Sequence, residues 1–198
     1  MITFSNSNSE IPYIKLKQKY NDALNLNQKN IEAISISSYS SESKEVNSRF
    51  VNLKFIDNNN FIFFSNYNSP KSREFKEHNQ ITALLYWNTI NTQVRLKATI
   101  KKTSNEFNQT YFANRSEQKN ALAISSNQSD SIDSFESVIR NYNKSLKLDN
   151  LKECPEYWGG YSFTPYYFEF WEGSDFRLNK RVSYSLVNSK WVKAYLQP

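Results

Sequence analysis

The sequence predicts a mainly β protein with accessory α-helices, a barrel or a sandwich. Three observations predict it. Short runs such as Ile31–Ser37 alternate apolar and polar residues, the period of a half-buried strand. Aromatic residues make up 16% of the 198 residues, and each buries a large area, so a core forms despite a polar average. Helical spacing is confined to a few segments around blocks of strands, the pattern of antiparallel β folds with helices at the margins.

The elements follow in order. Residues 1–11 are polar and are expected to be a disordered arm, leaving 12–198 as a single domain. Pro12–Leu26 reads as a helix, with Pro in its first turn and Tyr13, Leu16, Tyr20 and Leu24 at three-to-four spacing. Ile31–Ser37 is a strand and "SSYSSESKEVNS" a polar loop. Arg49–Ile56, the turn "DNNN" and "FIFFS" form a hairpin over Arg49–Ser65. A short helix lies in "SREFKEH". "ITALLYW" and "TQVRLKATIKK" form a strand pair around "NTIN". Thr103 and Glu106 make a capping box for a helix to about Asn114. Helices follow over Gln118–Ile124 and in "IDSFESVIRNYNKSLK", where Phe135, Val138, Ile139 and Tyr142 mark one face. "YWGGYSFTPYYFEFWEG" is a long strand region interrupted by Gly159-Gly160 and Pro165. "RVSYSLV" and "KWVKAYL" close the chain as a hairpin.

Scarcity narrows the chemistry. The one His (His78) and one Cys (Cys154) cannot build a Cys/His metal site or a disulfide within the chain, and no metal is expected. A Ser-His-Asp or Cys-His enzyme would depend on His78, which sits in a charged segment. Three glycines (Gly159, Gly160, Gly173) cannot write a Gly-rich phosphate loop. Any phosphate must be held by side chains, chiefly Arg, Lys, Ser and Tyr. The net charge of +6 is scattered rather than massed, so no nucleic-acid partner is expected. No apolar run is long enough to span a membrane, and the N-terminus lacks a signal-peptide pattern, so a cytoplasmic protein is expected.

Several motifs occur in a fixed order: "SRFVNLK", "FFSNYNSPK", "NTQVRL", "YFANRS", "SSNQS", "WGGY", "EFWEGSDFRLNKR" and a terminal Leu-x-Pro. Together they resemble the pyridoxamine 5′-phosphate oxidase family, from about Ser48 to Pro198. The resemblance implies a homodimeric split β-barrel that binds FMN at the subunit interface. It implies oxidation of pyridoxamine or pyridoxine 5′-phosphate to pyridoxal 5′-phosphate, with oxygen as acceptor and hydrogen peroxide as product. In such an enzyme the cofactor carries the chemistry and the protein supplies position and electrostatics.

The resemblance also implies roles. Arg49 and Lys71 hold the FMN phosphate, Ser65 donates a hydroxyl and Phe64 contributes mainly its backbone. Lys54 lies near both the cofactor and the substrate phosphate. Gln93 bonds the flavin edge, and Gln128 and Ser129 reach the cofactor from the other side. Trp171 and Arg181 contact FMN. Tyr111, Arg115 and Lys119 bind the substrate phosphate, and Arg177, Leu178 and Asn179 cover the substrate, with Arg177 an orienting group. Without the resemblance, Arg49 and Lys54 read as solvated strand charges that, five apart, point to opposite faces. Gln93 reads as an outward strand residue, and Tyr111 as packing under the Arg115 stem on one helix face.

Three departures from the family pattern stand out. Pro70 replaces an Arg, Lys119 replaces a Ser, and Asn179 replaces a His that could titrate near neutrality. They keep two alternatives open: an FMN oxidase of the same fold acting on another substrate, as in phenazine pathways, and a flavin-binding relative without catalysis.

Overall fold

The computed structural model describes residues 1–148 and 150–198. Ten strands and five helices follow the chain in the order β1 (Thr3–Ser5), α1 (Ile11–Asn25), β2 (Ala33–Ser40), β3 (Glu45–Asn52), β4 (Phe55–Asp57), β5 (Asn60–Asn66), α2 (Pro70–Glu77), β6 (Gln80–Trp87), β7 (Thr92–Lys102), α3 (Asn105–Ala113), α4 (Glu117–Ser125), α5 (Phe135–Ser145), β8 (Trp158–Glu172), β9 (Lys180–Val187) and β10 (Lys190–Leu196). All ten strands belong to one sheet, ordered β1-β4-β5-β8-β7-β6-β2-β3, with β9 and β10 attached beside β8. Every pairing is antiparallel except β1 with β4.

β8 organises the fold. It pairs with β5 through its first half, with β9 through its second, and with β7 along most of its length. It is continuous, not interrupted as expected. Pro165, which cannot donate to a ladder, sits where the register with β7 shifts between Lys97 and Ala98. That bulge changes the parity of the inward face. Tyr161 and Phe163 are buried before it, Phe168 and Phe170 after it. Phe61 and Phe63 of β5 stack on Phe163 and Tyr161 at 5.2 and 5.7 Å. Gly159 and Gly160 fit inside the strand because a Cβ there would run into Tyr67, Asn108 and Thr103. α1 closes one side of the core with Tyr13, Leu16, Tyr20 and Ala23.

Several expectations are corrected. The disordered arm is instead ordered at its start. Ile2 is buried and gives its N–H to the Tyr20 hydroxyl at 3.0 Å, and Phe4 packs 5.0 Å from the Tyr20 ring. Backbone bonds from Thr3 N–H to Lys54 O and from Asn58 N–H to Ser5 O, with the Ser5 and Asn6 side chains on Asp57, hold this strand to the sheet edge. The hairpin over Arg49–Ser65 does not exist as one unit. β3 pairs with β2, and β4 with β5, because the chain changes partner at a buried leucine: Leu53 N–H bonds Glu32 O and Lys54 N–H bonds Ile62 O. The polar loop "SSYSSESKEVNS" is mostly strand, with a turn only over 41–44. Its serines pair across the ladder, as with Ser37 and Ser48 Oγ at 2.7 Å. At the start of α3 the capping residue is Ser104, whose Oγ accepts Phe107 N–H at 3.2 Å, while Thr103 turns to Gly160 O and Asn108.

Candidate functional site

A cavity of about 860 Å³ opens between β3, β5, the end of α3 and the start of α4. Its lining includes Arg49, Lys54, Phe64, Ser65, Lys71, Tyr111, Arg115, Lys119, Gln128 and Ser129, ten of the sixteen residues expected at the site. Arg49 and Lys54 do not face opposite ways. The partner switch at Leu53 ends β3 before Lys54, so the period of two is broken and both line the cavity.

One cluster gathers around Lys71. Pro70 and Lys71 open α2, where Pro suits the first turn and its missing N–H costs nothing. Lys71 is only 6% exposed, and its Nζ donates to Ser65 Oγ at 3.0 Å, Ser69 Oγ at 2.9 Å and Gln128 Oε1 at 3.1 Å. All three acceptors are neutral. Burial, with the Arg49 charge nearby, pulls the ammonium down to about 8, and Glu74 opposes this only in part. Gln128 lies on the same side as Lys71, not across from it. Ser129 follows in a left-handed backbone, φ 75°. Arg49 is held from behind: Nη2 on Glu74 Oε2 at 3.0 Å and Nη1 on Ser38 Oγ at 2.5 Å.

The second cluster is aromatic. Phe64 stacks on Tyr111 at 3.7 Å and on Trp158 at 5.1 Å, with the planes within 10°. Phe64 therefore contributes its ring as well as its backbone. Arg115 lies over Trp158, 4.4 Å from guanidinium carbon to ring centroid. It follows the end of α3, so its backbone is no longer helical, although Tyr111 four residues earlier is. Arg115 Nη2 donates to Lys119 O at 3.2 Å, and Nη1 is buried without a partner. Burial raises Tyr111 and lowers Arg115 from their ordinary values.

Among the described residues, Lys54, Lys71, Arg115 and Lys119 make no ion pair with a carboxylate. Lys71 is buried, Lys54 and Arg115 are half-buried and Lys119 is exposed. Cations left without counter-charges, one with an orphaned N–H, suit ligands that bring negative charge. The donor sets fit phosphate groups, such as the one FMN carries.

The other six expected residues do not line this cavity. Gln93, Trp171 and Arg181 lie side by side across β7, β8 and β9 in one cross-strand row. Arg181 is clamped: Nε and Nη2 both meet Glu169 Oε1, at 3.0 and 2.7 Å, and Nη1 meets Gln197 O at 2.8 Å. Glu169, 2% exposed, also accepts from Arg95 and the Tyr167 hydroxyl. Burial pushes its carboxyl up, but these hydrogen bonds outweigh it and hold it below the ordinary carboxylate range. Arg177 and Leu178 are exposed at a turn after β8, with Phe176 and Arg177 in left-handed backbone, φ 58° and 60°. Asn179 Oδ1 accepts Ser174 N–H at 3.2 Å and ties that turn together.

Sequence reasoning missed Trp158, Ser69, Glu74 and Glu169. "WGGY" flagged Trp158 without a role. Glu74 sat in a segment read as charged surface, yet it is buried against Arg49. His78 is exposed and does not line the cavity.

Residues 17–145 match the family model described as pyridoxamine 5′-phosphate oxidase, and residues 158–198 match the pyridoxine 5′-phosphate oxidase C-terminal dimerisation region. A pyridoxine/pyridoxamine 5′-phosphate oxidase of Legionella pneumophila is 33% identical over 194 residues, covering 94% of this chain and 87% of that one. One from Hydrogenovibrio crunogenus is 29% identical over 191 residues, covering 94% and 88%. Among solved structures, PhzG from Burkholderia lata 383 in complex with tetrahydrophenazine-1-carboxylic acid superposes with a TM-score of 0.89, at 25% identity, covering 97% of this chain and all of that one.

Proposed function

Because this chain belongs to the pyridoxamine 5′-phosphate oxidase family, with its FMN-binding split-barrel fold and FMN as cofactor, we propose that it oxidises pyridoxamine or pyridoxine 5′-phosphate to pyridoxal 5′-phosphate. Oxygen is the acceptor and hydrogen peroxide the second product. The observation that carries the proposal is the set of four cations lining one cavity without carboxylate partners. A flavin carrier without a substrate needs only the Lys71 cluster. The Tyr111–Arg115–Lys119 cluster is a second anion site.

In this mechanism Lys71, Arg49, Ser65 and Gln128 hold the cofactor phosphate, and Ser129 lies beside them. These residues would hold FMN, which would supply the two-electron redox chemistry between substrate and oxygen. Tyr111, Arg115 and Lys119 grip the substrate phosphate, and Lys54, in the same lining, serves both cofactor and substrate. Each charge-assisted hydrogen bond is worth about 1.5–3 kcal/mol, enough together to fix the substrate's orientation. Gln93, Trp171 and Arg181 come from a second copy, as does the turn carrying Arg177, Leu178 and Asn179. The dimerisation-region match supports a homodimer, and Phe176, Leu178, Val187, Val192 and Tyr195 within it are exposed in the single chain. Arg177 acts as an orienting group through its planar guanidinium. Asn179 offers hydrogen bonds and no titratable proton.

Two observations favour a second reading, an oxidase acting on a phenazine-type substrate. The likeness to PhzG covers almost the whole chain, and Asn179 stands where a His is usual in the oxidases. Offering pyridoxamine 5′-phosphate to the FMN-loaded protein separates the two. Oxygen uptake matched by aldehyde formation is expected. A yellow protein that consumes no oxygen with either vitamin phosphate would overturn the proposal.

A further inference from the structure

Three of the four arginines at the expected site are oriented in two different ways. Arg49 is held by Glu74 and Arg181 by Glu169, both buried carboxylates. A carboxylate fixes a guanidinium but also cancels its charge. Arg115 has no carboxylate partner among the described residues. Its backbone lies beyond the last residue of α3, Ala113, so the helix does not fix it. The nearby Cys154 supplies no charge either, because burial pushes its thiol up to about 11.

What Arg115 has instead is an aromatic shelf. The Trp158 ring lies 4.4 Å from its guanidinium carbon and the Phe112 ring 5.3 Å. Trp158 is itself fixed: 6% exposed, paired with Asn66 across β5, stacked parallel to Phe64 and edge-on to Phe112. We propose that Trp158 is a positioning residue for Arg115, seating the guanidinium on its indole face so that it is held in place with its charge uncancelled, ready for an anionic group of the substrate. The assignment rests on the proposed function of this cavity. An indole face attracts a cation without neutralising it, and the partnerless Nη1 of Arg115 is the donor left for the ligand.

The test uses the FMN-loaded protein with Trp158→Leu and Trp158→Phe. Two quantities are measured: KM and kcat for pyridoxamine 5′-phosphate, and the affinity for inorganic phosphate by calorimetry, which needs no turnover. Trp158→Leu is expected to raise KM and weaken phosphate binding roughly ten-fold or more, the size of a lost desolvated cation–π contact. It should leave kcat and FMN affinity unchanged, and Trp158→Phe, whose smaller ring is a weaker cation–π face, should recover only part of the loss. Unchanged phosphate affinity in Trp158→Leu would overturn the proposal, as would an equal loss of FMN. If Trp158→Leu does not fold, Trp158→Phe decides alone: a several-fold weakening of phosphate binding supports the shelf, and none contradicts it. A wild-type protein inert to the vitamin phosphate would sink the proposed function, while the phosphate titration would still judge Trp158.

Discussion

Lys71 is where a single residue sets a measurable property. Its ammonium is buried among neutral acceptors, with Arg49 and Glu74 the nearest charges, and it titrates at about 8 instead of 10.5. A depressed lysine is a cost to the folded state while it stays charged, so the stability of the FMN-free protein should rise as pH climbs from about 8 towards 10.5. Phosphate binding needs the charged form and runs the other way. FMN affinity, followed by flavin fluorescence quenching, should fall as pH rises through 8, and Lys71→Arg should flatten that fall. A wild-type affinity independent of pH between 7 and 9.5 would contradict this assignment, since about one proton should be lost there. At this scale the sequence was most informative about residue type. With three glycines and one histidine, anion binding had to fall to Arg, Lys, Ser and Tyr. It did not show which arginines come already paired, because Glu74 and Glu169 look like surface charges until strands and a helix bury them.

Among the elements, β8 shows both what a pattern reveals and what it hides. Its aromatic run announced a strand, but Pro165 and two glycines looked like interruptions. The bulge keeps the strand whole and moves the buried face from odd to even positions. It also places Glu169 on the opposite face, buried between Arg95 and Arg181 of the neighbouring strands. Removing one member of a buried ionic cluster leaves uncompensated charge. Glu169→Ala should therefore cost about 1–3 kcal/mol, less than a fully buried pair because Arg95 and Arg181 reach solvent, read by denaturant unfolding. A loss below about 1 kcal/mol, the worth of an exposed pair, would show that the cluster contributes little. Because Glu169 titrates below its ordinary range, its contribution is present at neutral pH and fades as pH falls through the carboxylate range. β3 and β4 were read as one strand because nothing in "RFVNLKFI" marks the change of partner. That change depends on Glu32 and Ile62, far along the chain, and local periodicity cannot register it.

For the whole molecule, the expected site residues fall into two groups that one chain does not bring together. Ten line the cavity, and the remainder lie in the β7–β8–β9 row or the turn after β8, within and beside the dimerisation region. The motif order in the sequence made all of them legible as one set, but not their division, since a linear pattern carries no record of which copy supplies each residue. A site assembled across a two-fold interface can be tested by mixing two defective chains. Arg115→Ala damages one group and Arg177→Ala the other. Each homodimer should turn over pyridoxamine 5′-phosphate poorly at low substrate concentration. Unfolding and refolding the two together should create mixed dimers with one intact site, and recover about a quarter of the wild-type rate if pairing is random. A mixture no more active than the average of its two components would contradict a site shared between copies.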